Sequence, residues 1–346
     1  MKAVGLTHYL PITDEQSFLD IELQPPTPGP FDLLVRVHAV SVNPVDTKVR
    51  APKPKVEPEP RVLGWDAAGE VVAVGTEVQG FSFGDQVYYA GDITRSGSNA
   101  ELHLVDARIA GKKPQSSNFA EAAALPLTAI TAWEVLFDRL GISPAGEHKG
   151  RSILIIGGAG GVGSIAIQLA TQLAGLRVIA TASRPESTAW VKSLGAHEVI
   201  NHRDPIDEGL KSVTADGSVD YILCLNSTQQ HWDAMCRAIA PQGKIASIVE
   251  TSGPLDIGPL MRKSAGFVWE LMFTRPMFKT PDMAKQGEIL NKIASLIDQG
   301  ILRNTTNTIL SPISAANLRK AHQMLEEGRT IGKIVLSSWD ASSNEA

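Results

Sequence analysis

"IIGGAGGVGS", residues 155–164, carries five glycines in ten positions between two apolar runs. Glycine weakens helices and strands alike, so this concentration marks a place where the main chain must bend sharply or come close to something. Before it, "SILIIG" (152–157) reads as a short buried strand. After it, "GVGSIAIQLATQLAG" (161–175) reads as a helix with Ile165, Leu169 and Leu173 on one stripe. Gly158, Gly160 and Gly163 form G-x-G-x-x-G at the junction. The first glycine permits a tight turn, the second lets the main chain approach a pyrophosphate, and the third lets helix and strand pack closely. Gly161, Val162 and Gly163 open the helix, whose unpaired N–H groups and partial positive charge suit phosphates. The Lys-Ser/Thr ending of a triphosphate-binding loop is missing, which disfavours ATP and favours a dinucleotide.

The rhythm continues downstream. "RVIATAS" (177–183), "HEVIN" (197–201), "VDYILCL" (219–225) and "GKIASIV" (243–249) read as strands, with "PESTAWVKSLG" (185–195) and other helical segments between them. Alternating strand and helix at this spacing predicts an α/β fold, a parallel sheet wrapped by helices. Upstream, residues 1–110 are β-rich. "LLVRVHAVSVN" (33–43) alternates apolar and polar residues, and "AAGEVVAVG" (67–75) is a second strand. Proline clusters at 25–30 and 52–60 read as loops. The tail holds two amphipathic helices, near 283–299 and 313–327, and a last strand, "GKIVLS" (332–337).

The residues after the second strand select the coenzyme. A site for NAD usually ends that strand with an acid bonded to the ribose 2′-OH. Here "ATASRPES" has no carboxylate before Glu186, and Ser183 and Arg184 stand in its place. An acid would repel a 2′-phosphate, whereas Arg184 can pair with it. His202 and Arg203, just past the third strand, can close around the same group. The coenzyme expected is therefore NADPH. Asn226, just past the fourth strand, is expected near the nicotinamide ribose.

Composition bounds the rest. A chain of 346 residues suits two cores, and 43% hydrophobic with 20% charged residues describes a globular protein. A net charge of −5 argues against a nucleic-acid partner. Two cysteines, Cys224 and Cys236, are too few for a disulfide framework or a cysteine-rich zinc lobe, and both read as buried thiols. No stretch is long and apolar enough to cross a bilayer, and the N-terminus lacks a signal-peptide core, so a cytoplasmic location is expected.

The β-rich first part, "LGWDAAGEVVAVG", "GDQVYYAG", "GGAGGVG" and the closing "GKIVL" together resemble the medium-chain dehydrogenase/reductase superfamily over nearly the whole chain. "SVNPVDTKVR" (41–50) and "SRPES" resemble its quinone-oxidoreductase branch, in the subgroup of zinc-type alcohol dehydrogenase-like proteins. The resemblance implies a GroES-like β-rich domain, 1–128 completed by 280–346, and a Rossmann domain, 129–279, with the active cleft between them. It also implies a homodimer. The family's alcohol dehydrogenases hold catalytic zinc with a cysteine, a histidine and a second cysteine. Those positions fall at Asn43, at Trp65 and near Leu127, where Gly64-Trp65-Asp66 replaces Gly-His-Glu. An amide, an indole and an alkyl chain make no zinc site, so no metal is expected.

Without a Lewis acid, the resemblance implies substrates that accept hydride readily: quinones, or alkenes conjugated to a carbonyl. The protein then has to position the substrate, exclude water and offer donors to the oxygen that gains charge. Asn43 is a candidate donor, or a cap for the helix that "NPVD" implies, or both. Lys48 stands where related quinone reductases often place a tyrosine; it is either a donor or a solvated helix lysine. Thr131, in "LTAITAW", resembles the threonine behind the nicotinamide. Trp65 fills the metal's volume as an aromatic wall. Tyr88 and Tyr89 alternate on a strand, so at most one faces a substrate. Phe267 and Trp269 either line the pocket or belong to a core strand or dimer edge. The function expected is a zinc-independent, NADPH-dependent reductase of quinones or α,β-unsaturated carbonyls. The alternatives are a zinc-type alcohol dehydrogenase, or an NADPH-binding structural or sensor protein with little turnover.

Overall fold

A computed structural model of the chain describes residues 1–340. It comprises two compact units, Met1–Ile130 with Phe273–Ala346, and Thr131–Met272. The second unit is built on six parallel strands: β1 (Ser152–Ile156), β2 (Arg177–Thr181), β3 (Glu198–Ile200), β4 (Val219–Cys224), β5 (Ile239–Ser247) and β6 (Gly266–Trp269). Their order in the sheet is β3-β2-β1-β4-β5-β6. This is the doubly wound Rossmann arrangement, and the order reverses direction between β1 and β4, where such sheets open a crevice at the strands' carboxyl ends.

The sequence explains the arrangement. Ile153, Leu154, Ile155 and Ile156 are all buried, as a central strand covered on both faces requires. The helix Gly161–Gln172 lays Ile165 and Leu169 against the sheet, and Gly175, at φ +64°, turns the chain back toward β2. Cys224 and Cys236 are buried free thiols.

The first unit has the strand Asp32–Val42 at its centre. It pairs antiparallel with Ala67–Val74, with Leu102–Asp106 and with Lys333–Ser337. The tail thus completes the sheet begun by the first forty residues, with Ile334 opposite Val42. A three-stranded sheet lies beside it in sequence, ordered Leu19–Glu22, Lys2–Tyr9, Lys53–Val62. The last of these corrects the loop expected at 52–60. Pro54, Pro58 and Pro60 sit in an edge strand, where a missing N–H leaves no ladder bond broken on the open side. Register shifts on both sides of His8 absorb the remaining mismatch. Among the described residues no helix is long and apolar enough to cross a membrane.

One glycine tests the packing directly. A Cβ on Gly163 would lie 2.6 Å from the carbonyl oxygens of both Gly157 and Gly158. Gly163→Ala is expected to cost about 1–3 kcal/mol, as overpacking does. The check is a lower denaturation midpoint in urea, with a smaller change for Gly160→Ala, whose added Cβ would come no closer than 3.6 Å to Gly157 O.

Candidate active site

The glycine turn is shaped for close approach, though not quite as the motif suggests. The left-handed residue is Gly157, at φ +85°, and not Gly158, which faces Ala180 on β2 at 3.0 Å from an added Cβ. Gly157 N–H donates to Thr181 Oγ1 at 3.0 Å, so the end of β2 pins the turn. Gly160 caps the helix at φ −73°, and an added Cβ there would make only an ordinary contact, 3.6 Å from Gly157 O. Ser164 Oγ donates to Gly160 O and accepts from Trp190 Nε1, each at 2.8 Å, which ties the cap to the next helix. The cradle leaves the first N–H groups of the helix, at Gly161, Val162 and Gly163, at its N-terminus, and these residues fit a pyrophosphate.

The register of β2 and β3 brings the basic residues together. Thr181 pairs with Ile200, and Ala182 N–H donates to Ile200 O at 3.1 Å. Arg184 lies three residues past the first of these, and His202 and Arg203 two and three past the second. Ser183, Arg184 and His202 are half-buried, and Arg203 is exposed. Burial holds the His202 imidazole below its ordinary pKa, and the charges of Arg203 and Arg184 push the same way. A fourth basic side chain, His231 on the helix Thr228–Ala238, escaped the sequence reading. Burial lowers its pKa, and so does His202. Its only signal was a histidine in the first turn after β4. Asn226 is exposed between β4 and that helix, and an added Cβ on Gly157 would lie 3.7 Å from its own Cβ. It therefore stands beside the glycine turn at the switch point. This set of residues fits a phosphorylated dinucleotide.

In the first unit the three displaced ligand positions meet at a buried ion cluster. Lys333, only 3% exposed, directs its ammonium to Val42 O and Asp66 Oδ2, each at 3.0 Å, and to Asn43 Oδ1. Asn43 Nδ2 donates to Asp66 Oδ2 at 2.8 Å. Leu127 N–H donates to Asp66 Oδ1 at 2.7 Å. Asn43 also heads the helix Pro44–Arg50, where its N–H donates to Asp46 Oδ2 at 2.6 Å. Burial raises the Asp46 carboxyl to about 7, against the opposing pull of the Asn43 N–H and of Lys333. Burial also raises Asp66, opposed chiefly by Lys333. Lys333 was missed in the sequence, where it looks like one polar residue at the start of an apolar strand.

The remaining candidates separate. Asn43 is buried and its amide serves Asp66 and Lys333, so it is no freely offered donor. Lys48 is exposed on its helix. Thr131 is buried on the helix Pro126–Trp133. Trp65 is buried edge-to-face against Phe273, with ring centroids 6.1 Å apart. Tyr88 is corrected from pocket to packing: it is fully buried and its hydroxyl donates to Leu290 O at 2.6 Å. Tyr89 is likewise committed, to His103 Nδ1 at 3.0 Å. Phe267 packs edge-to-face on Trp232 at 5.0 Å and joins the sheet's core, so the pocket role is replaced by the core-strand one. Trp269 is 47% exposed on β6, an edge strand of the sheet.

Comparison with known proteins places these features. Residues 29–131 match the alcohol dehydrogenase GroES-like domain and 194–336 the zinc-binding dehydrogenase domain. A zinc-type alcohol dehydrogenase-like protein of Staphylococcus aureus is 44% identical over 97% of this chain and 100% of its own length. A 2-methylene-furan-3-one reductase of Solanum lycopersicum is 33% identical over 88% of this chain and 71% of its own. A quinone oxidoreductase of Pseudomonas aeruginosa is 31% identical over 91% and 94%. Among solved structures, a protein from Rhizobium etli CFN 42 that carries a zinc-dependent alcohol dehydrogenase name matches at TM-score 0.93 and 51% identity, over 98% of both chains. Escherichia coli quinone oxidoreductase complexed with NADPH matches at 0.79 and 26%, over 97% and 100%. The chain belongs to the medium-chain dehydrogenase/reductase superfamily, in its quinone oxidoreductase-like branch, and is an oxidoreductase. The zinc in some of these names does not fit the residues present. Among the described residues no group of three or more His, Cys, Asp and Glu could hold a metal.

Two substitutions test the ion cluster. Lys333→Met leaves Asp66 buried without its counter-charge, and is expected to cost about 3–5 kcal/mol in chemical denaturation. Asp46 is an acid whose folded pKa is raised, so it favours the folded state at low pH. That contribution is lost as pH rises from its unfolded value near 4 through about 7. Asp46→Asn is expected to flatten the fall of Tm across that window.

Proposed function

We propose that this chain is a zinc-independent, NADPH-dependent oxidoreductase that reduces quinones or α,β-unsaturated carbonyls. The observation that carries the reading is the Lys333–Asp66–Asn43 cluster. It sets an internal ammonium, an amide and a carboxylate among the positions that would hold a metal in an alcohol dehydrogenase. Alcohol oxidation gains most from a Lewis acid on the alkoxide, whereas quinones and enones accept hydride without one. The quinone oxidoreductase and furanone reductase among the relatives support the same substrate class.

NADPH, when bound, supplies the hydride. The chain's own residues do the rest. Gly160 and the helix start at Gly161, Val162 and Gly163 hold the pyrophosphate. Ser183, Arg184, His202 and Arg203 hold the 2′-phosphate. Asn226 holds the nicotinamide ribose, and Thr131 backs the nicotinamide. Trp65, buried against Phe273, backs the substrate wall from behind, and Asn43 stiffens that wall through Asp66. Among the ionisable side chains of Pro44–Arg50, Lys48 is the exposed one, and it neutralises the oxygen that gains charge. Trp269 and Leu271, exposed at and just past the edge strand β6, are where a second copy joins as a homodimer.

The test follows nicotinamide absorbance, as loss of NADPH with quinones and enones and as gain of NADPH from NADP+ with alcohols, each with and without a chelator. Turnover of quinones or enones that survives chelation is expected. Turnover of alcohols alone, abolished by the chelator and restored by zinc, overturns the proposal. Arg184→Glu is expected to lower kcat/KM for NADPH relative to NADH by roughly 10- to 100-fold, the worth of one charged hydrogen bond.

A further inference from the structure

The basic residues past β2, β3 and β4 are of two kinds. Arg184 and Arg203 are permanently charged, and His202 and His231 are not. Arg184 approaches from the end of β2, and His202 and Arg203 from the turn after β3. His231 comes from the first turn of Thr228–Ala238. The helix Ile206–Lys211 is tied to that helix by Arg237 Nε on Asp207 Oδ2 at 2.9 Å. Asp207 is therefore committed, and Asp204 and Glu208 beside it are exposed. His202 Nδ1 is enclosed without a protein partner. His202 thus lies in the field of two guanidiniums and acts in turn on the His231 imidazole, with its Nδ1 unsatisfied.

We propose that His202 is a proton-linked determinant of coenzyme choice: docking of a 2′-phosphate loads one proton onto its imidazole, while His231 stays neutral. The inference rests on the NADPH reading above. Before docking, a third positive charge beside Arg184 and Arg203 is unfavourable, so the ring is neutral. A dianionic phosphate reverses the local field and favours the charged imidazolium, whose partnerless Nδ1 becomes a donor. Repulsion between the two imidazoles then limits uptake to one proton. NAD, with a hydroxyl in place of the phosphate, gives no such reversal. Preference for the phosphorylated coenzyme should therefore rise as pH falls, by up to tenfold per pH unit for one linked proton. The phosphate's own second pKa, about 6, bounds the window from below.

The test is titration calorimetry of the intact protein with NADP+ and NAD+ in buffers of different ionisation enthalpy. At about pH 7.5, uptake of about half a proton or more per NADP+ is expected, and none per NAD+. The ratio of the two Kd values should widen several-fold between about pH 8 and pH 7. His202→Gln should abolish the uptake and flatten the ratio. His202→Arg should keep the preference for NADP+ but make it independent of pH, which a merely structural histidine would not do. NADP+ binding no tighter than NAD+ at any pH overturns the coenzyme reading itself. Tighter NADP+ binding with no proton uptake, or with uptake that persists in His202→Gln, overturns this inference alone.

Discussion

An ammonium with nowhere to go but its partners organises the first unit. Lys333 begins the strand that the tail adds to the sheet, and its three acceptors come from Val42, Asn43 and Asp66. A buried lysine is tolerable only when paired and fully bonded. Once it is, strand register, helix start and the loop carrying Trp65 are fixed together. The main-chain N–H of Leu127 closes the arrangement from a fourth segment. The cluster pairs Lys333 with Asp66 internally, so the segments around it are held together by this chain's own groups.

The second unit solves a different problem, presenting bare main chain to a ligand. Three glycines of one turn do three separate things. Gly157 supplies the left-handed bend, Gly163 lets the helix touch the turn's carbonyls, and Gly160 caps the helix with no side chain over Gly157 O. Neighbouring parallel strands then deliver side chains to one place simply because they end in register, as Thr181 and Ile200 do. The basic side chains lie in the short turns beyond those strand ends, not in the sheet.

Much of this was legible in the sequence, because β-α rhythm and glycine spacing are local signals. Five of the six strands and the helix after the glycine turn lie close to where periodicity puts them, whereas Gly266–Trp269 reads equally as pocket lining. What the sequence hid was long-range. Lys333 meets Asn43 across 290 positions, and nothing local marks a lone lysine as buried. Tyr88 reads as a free phenol until the helix carrying Leu290 folds over it. The 52–60 segment reads as loop because proline usually breaks strands, and only the sheet order shows that it lies at an edge. The shift of the bend from Gly158 to Gly157 is a matter of dihedral angle, invisible where both positions are glycine.

That proline-bearing edge has a bearing on solubility. Lys53–Val62 ends its sheet with three residues that cannot donate and with lysines and glutamates between them. A foreign strand approaching this rim finds gaps in the donor row and charges in its path. In the other unit, β3 terminates its sheet after only three residues, too few to template a neighbour. Uncontrolled strand addition, the route to aggregates, is thus discouraged at both rims without any cost to the chemistry.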